Sequence, residues 1–75
     1  MEKILSLDVF KNDNGCLVSD VVYDGTARDV MRCVSKGVSR ILTLIANDEN
    51  TIQTKEELLN MLVEDVHIRF ITDEK

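Results

Sequence analysis

Asn14-Gly15 is the feature that most restricts this chain. Asn-Gly between two runs of alternating hydrophobicity is the strongest short-range hairpin signal, because both residues tolerate positive φ. The runs are present on both sides. Residues 3–10 place Leu5, Leu7 and Val9 on one face. Residues 16–23, Cys-Leu-Val-Ser-Asp-Val-Val-Tyr, are rich in β-branched residues and make the return strand. The chain is thereby committed to open on an antiparallel β-hairpin.

Asp24-Gly25-Thr26 ends the second strand. Thr26 has an N-cap side chain, and Asp29 follows three residues on. Ala27, Val30, Met31 and Val34 then recur at spacings of three and four, which is one face of a helix. Two continuations are open from here. Val38, Ile41, Leu42 and Ile45 extend the helical spacing and allow one helix over 26–46. The favoured reading stops the helix at Gly37, a preferred residue just past a helix end, with Lys36 suited to the last turn. Residues 40–46 would then be a buried strand, since three of the seven are β-branched.

Asn47-Asp48-Glu49-Asn50 reads as a polar turn and residues 51–53 as a short return strand. Thr54-Lys55-Glu56-Glu57 is a capping box that opens a short helix with Leu58, Leu59, Met61 and Leu62 on its apolar side. Glu64-Asp65 is read as its break. Val66, Ile68 and Phe70 alternate with His67 and Arg69, as in a final strand over 66–71. The expectation is a single α+β domain over 1–75. It has a mixed sheet of four to five strands in the order ββαβ(β)αβ, with one main helix packed on the sheet. The alternative is ββααβ with a long helix 26–46, which would offer a better dimer seam.

The order and spacing resemble the ubiquitin-like β-grasp fold over essentially the whole chain. Residues 41–47 followed by 51–59 look like the second half of bacterial sulfur-carrier proteins of the thiamine and molybdopterin pathways. The resemblance implies a ubiquitin-sized domain with the last strand beside the first. It does not carry conjugation or sulfur-transfer chemistry. That chemistry needs a terminal Gly-Gly, whereas this chain ends Thr72-Asp73-Glu74-Lys75. Plant-type ferredoxins, another branch of the fold, need four cysteine ligands, and this chain has two cysteines. What the resemblance leaves is protein–protein contact through a sheet face or edge.

The residues bearing chemistry do not form a catalytic pattern. Cys16 begins a strand and Cys33 sits on the main helix. His67, the one histidine, projects from the outer sheet face in this reading, so no thiol has a base within reach. These three also lack the close pairing of a zinc site. Asn12-Asp13-Asn14-Gly15 lacks the acidic ligands and closing Glu of an EF-hand and is read as a plain turn. Gly25-Thr26 has no phosphate loop around it. No catalytic residue, metal or cofactor is therefore expected. The two cysteines read as reduced cytosolic thiols, since Met1-Glu2-Lys3-Ile4 does not begin a signal peptide and no apolar run could span a membrane.

Charge is more informative. Residues 1–47 hold six basic and six acidic residues, whereas 48–75 hold three basic and eight acidic, so the whole net charge of −5 lies in the final third. Arg28, Arg32 and Lys36 form a basic stripe at i, i+4 and i+8. The expected function is a small, non-enzymatic, cytoplasmic interaction module, an accessory or regulatory subunit that steers a protein partner through a charge-polarised surface. Its candidate contacts are Arg28, Arg32, Lys36 and Arg40, with His67, Arg69 and Ile71 on the outer sheet face. The alternative is a small acidic inhibitor of viral or mobile-element type. It would imitate phosphate charge with Asp48, Glu49, Glu56, Glu57, Glu64 and Asp65. Direct nucleic-acid binding is disfavoured by net charge and by having only Phe10, Tyr23 and Phe70 as aromatics. Homo-oligomerisation stays open, because an exposed edge strand pairs unless it is protected.

Overall fold

The computed structural model describes residues 1–72. The elements run β1 (Leu5–Lys11), β2 (Leu17–Tyr23), α1 (Ala27–Ala46) and α2 (Lys55–Thr72). The chain divides into two units, Met1–Gly37 and Val38–Lys75.

In the first unit β1 and β2 pair antiparallel, from Leu5 opposite Tyr23 to Lys11 opposite Leu17. The Asp24 N–H donates to the Ile4 carbonyl at 3.0 Å and extends the ladder by one step. The turn is built differently from the two-residue form that Asn-Gly suggests. Gly15 has φ +84°, and no residue other than glycine takes positive φ among those described. The Gly15 N–H donates to the Asn12 carbonyl at 2.9 Å and the Asn12 N–H to the Cys16 carbonyl at 2.8 Å. This is a three-residue loop, a β-turn over 12–15 whose left-handed glycine makes the bulge. Asn12 Oδ1 ties it together by accepting from the N–H groups of Asn14 and Cys16, both at 2.9 Å.

The register sorts the hairpin into two faces. One carries Leu5, Leu7, Val9, Leu17, Val21 and Tyr23, with Lys11 and Ser19 at its turn end. The other carries Phe10, Val18 and Val22, and sets Asp8 directly opposite Asp20. Like charges in direct cross-strand register destabilise a hairpin. An isolated pair of strands is also marginal in water, so this element depends on what covers its apolar face.

Thr26 caps α1 as expected: its Oγ1 accepts from the Asp29 N–H at 3.2 Å, and its carbonyl accepts from the Val30 N–H at 2.9 Å. The helix does not stop at Gly37. It runs unbroken to Ala46, and the expected strand 40–46 is helix. A lone interior glycine costs only about 1 kcal/mol against alanine. The apolar face recurs on both sides of it without a change of phase. That continuity outweighs the β-branched content of Ile41, Thr43 and Ile45.

In the second unit the end of α1 is closed by the following loop. The Asp48 N–H donates to the Ile45 carbonyl at 3.1 Å, and Thr51 Oγ1 donates to the same carbonyl at 2.7 Å. Asn50 and Thr51 fold back on Asp48, through its Oδ1 at 2.8 Å and its carbonyl at 3.0 Å. These bonds turn the Thr51 N–H back onto Asp48, and the expected return strand at 51–53 does not form. The capping box at α2 is complete. Thr54 N–H donates to Glu57 Oε1 at 2.8 Å, and Glu57 N–H donates to Thr54 Oγ1 at 3.1 Å. Thr54→Ala is expected to lower unfolding free energy by about 1 kcal/mol, read from urea-induced loss of helical circular dichroism, while Thr54→Ser retains most of it.

α2 continues through Glu64-Asp65 to Thr72, so the expected final strand over 66–71 is helix as well. Asp65 does not break the helix. Its carboxylate accepts from Arg69 Nε at 2.7 Å, an i,i+4 pair along one helix side. Val66 and Phe70, four residues apart and on one face of an alternating strand pattern, are also about one helical turn apart. The structure is therefore ββαα with a two-stranded sheet. Among the described residues the four- to five-stranded β-grasp sheet is absent, and the ββααβ alternative keeps its long helix but not its last strand.

Candidate functional site

α1 presents two opposed faces. Ala27, Met31, Val34, Val38, Ile41 and Ile45 line one of them. Arg28, Arg32, Lys36 and Arg40 climb the other side, one residue per turn. Successive residues of this basic row are about 6 Å apart along the axis and wind by about 40° per step. All four are exposed. The one ion pair among the described residues is Asp65–Arg69, so none of the four is neutralised within the described chain. Asp29, in the first turn, is the only acidic residue on the helix. Lys and Arg held by one helix at fixed spacing make a preorganised site for an acidic surface.

The other expected contacts are placed differently. His67, Arg69 and Ile71 do not share an outer sheet face, because they lie on α2. His67 and Ile71 are one turn apart on one side, both exposed. Arg69 lies on another side and is held by Asp65. The proposed contact group is thus split: the α1 row stands together and the 67–71 group does not.

The acidic group is also divided by local work. Glu57 is half of the capping box, Asp48 organises the loop, and Asp65 holds Arg69. Glu49, Glu56 and Glu64 remain with no such partner among the described residues. Asp73 and Glu74 lie outside the described residues. Both helix-starting acids of α2, Glu56 and Glu57, sit where the helix dipole favours negative charge.

Cys16 is exposed and Cys33 half-buried, and both are free thiols. Among the described residues no three His, Cys, Asp or Glu side chains come close enough to hold a metal ion. A shallow depression at the open end of the hairpin is lined by Lys3, Ile4, Leu5, Ser6, Val22, Tyr23 and Asp24. Its volume of about 70 Å³ compares with roughly 300–1,000 Å³ for small-molecule sites. No described helix is long and apolar enough to cross a membrane.

Large apolar side chains are the feature that residue-type motifs missed. Val30 and Leu58, each 9% exposed, are the only buried residues among those described. Met31, Ile41, Leu44, Val66 and Phe70 are all more than half exposed. The signal for this was in the spacing of α1, which satisfies a helical seam better than a strand. No family model, no curated protein and no solved structure matches this chain.

Proposed function

We propose that this chain is a small non-enzymatic interaction module, an accessory or regulatory subunit whose partner-facing surface is the basic row of α1. The observation that carries this reading is the exposure of Arg28, Arg32, Lys36 and Arg40 on successive turns of one helix, without a counter-charge among the described residues. The partner is a protein with an acidic face. With a net charge of −5 on the chain, binding to a uniformly acidic polymer is opposed overall, so the basic row works at short range.

The test is kinetic. The partner is captured from native cell extract on the immobilised chain and identified by mass. Its association rate is then measured against salt. At low salt Arg32→Glu should lower that rate roughly tenfold, and raising salt should shrink the difference between variant and parent. An association rate indifferent both to Arg32→Glu and to salt would reject the reading.

A further inference from the structure

We propose that Asn14 is a site of spontaneous modification, where the carboxamide becomes an aspartyl or isoaspartyl acid at a rate set by opening of the hairpin turn. The chemistry needs only the Asn-Gly step and water. The backbone nitrogen of Gly15 gives up its proton to solvent base and attacks Asn14 Cγ. A bond forms between that nitrogen and Cγ, the Cγ–Nδ2 bond breaks, and ammonia leaves with a proton from water. The product is a cyclic imide. Water then adds to one of its two carbonyl carbons and breaks that carbon's bond to the Gly15 nitrogen. Opening at Cγ leaves aspartate. Opening at the main-chain carbonyl carbon of residue 14 leaves isoaspartate, with the chain running on through the former side chain.

The sequence holds a single Asn-Gly step. Glycine hinders the attack least, because no Cβ crowds the nitrogen. Asn14 and Gly15 are both exposed, so water and base reach them. The loop's side-chain hydrogen bonds run to Asn12 Oδ1 and leave the Asn14 carboxamide open to attack.

The folded turn protects the reacting nitrogen. Gly15 N–H donates to the Asn12 carbonyl at 2.9 Å, so the proton that must leave is held by an acceptor. Asn14 N–H is tied to Asn12 Oδ1 at 2.9 Å, and Asn12 N–H closes the loop on the Cys16 carbonyl at 2.8 Å. The main chain on both sides of Asn14 is fixed, and the nitrogen swings onto Cγ only when these bonds open. The same opening frees the Gly15 amide for hydrogen exchange. One equilibrium therefore gates both reactions. The ladder behind the turn sets Asp8 against Asp20, a like-charge pair that favours opening.

The product does not fit the turn it came from. Isoaspartate lengthens the main chain of a three-residue loop by one carbon, and the bulge depends on Gly15 at φ +84° in its present place. Both products add a negative charge beside Asp13. Opening permits the reaction, and isoaspartate keeps the turn open. The reaction needs only residues 12–16 and is independent of the partner surface proposed for α1.

The full chain is held in mildly alkaline buffer, once folded and once unfolded in urea. Deamidation is read by mass spectrometry of the peptide bearing residues 12–16, with aspartate and isoaspartate separated by chromatography. Gly15 amide exchange is measured on the folded chain in the same buffer. The folded chain should deamidate more slowly than the unfolded one by the factor that protects the Gly15 amide. Asn12→Ala should speed the folded chain's reaction roughly 5–30-fold, with the unfolded rate as ceiling, and lower Gly15 protection to match. Isoaspartate at 14 should speed amide exchange at 9–11 and 17–19 more than Asn14→Asp does. A carboxamide at 14 that survives in urea overturns the proposal. So does a folded chain that reacts as fast as the unfolded one while Gly15 stays protected. Unequal changes in the two reactions on Asn12→Ala overturn the gate, and isoaspartate that leaves exchange as in Asn14→Asp overturns its effect on the turn.

Discussion

Replacing Gly25 by L-alanine is expected to lower unfolding free energy by about 1–3 kcal/mol. Gly25 has φ +126°, a region that L side chains rarely enter. It stands between the last ladder bond of the hairpin, at Asp24, and the N-cap Thr26, so its backbone sets the path from β2 into α1. Crowding is not the cause. A Cβ at this position would meet Asp29 Cβ at 3.6 Å and Asp29 Oδ2 at 3.9 Å, which are ordinary contacts. The cost therefore comes from the dihedral angle. A chain made by chemical synthesis with D-alanine at 25 separates the two explanations. The D-residue favours positive φ, so it should restore or slightly exceed the parent's stability. Urea unfolding followed by circular dichroism, at one fixed protein concentration, reads both variants. Equal losses from L- and D-alanine would show that space, and not φ, governs the site.

Asn12→Ala should weaken the hairpin by about 1–2 kcal/mol. One side-chain oxygen of Asn12 accepts from two backbone N–H groups across the loop, at Asn14 and Cys16. Removing it hands both donors to water and loosens the bulge at Gly15. Asn12→Asp keeps an acceptor and should retain most of the stability. Amide hydrogen exchange over residues 5–11 and 17–23 is the direct readout, since these two stretches form the ladder. Faster exchange at the strand ends nearest Lys11 and Leu17 in Asn12→Ala, with Asn12→Asp close to the parent, is the expected pattern. The hairpin starts from a weak position, because Asp8 faces Asp20 across the strands. Loss of the turn bonds should therefore be visible as local opening before helix is lost.

The local signals were legible where one short stretch of chain satisfies its own hydrogen bonds. The N-cap Thr26 and the box Thr54–Glu57 form as their residue types require, and the hairpin forms at Asn14-Gly15 with a three-residue loop in place of a two-residue one. The basic row is legible for the same reason, since i, i+4 spacing needs only the helix that bears it. The split of His67, Arg69 and Ile71 was not legible, because their assignment to one sheet face depended on a strand that does not form. Val66, Ile68 and Phe70 fit period two, while Leu59, Leu62, Val66 and Phe70 fit a helical face equally well. In such a case the arbiter is whether a partner strand exists to take the backbone N–H and C=O groups. A helix satisfies those groups internally, and α2 does so.

Sequence alone was enough to determine the hairpin, the two helix starts and the opposed apolar and basic faces of α1, since each rests on contacts within a few residues. Tertiary structure decided that Gly37 is crossed, that the segments 40–46 and 66–71 are helical, and that the sheet stops at two strands. The physical reason is that a third strand must find distant donors and acceptors, while a helix closes each bond four residues away. Among the described residues no third strand lies beside β1 or β2, so both segments take the form that closes its own bonds.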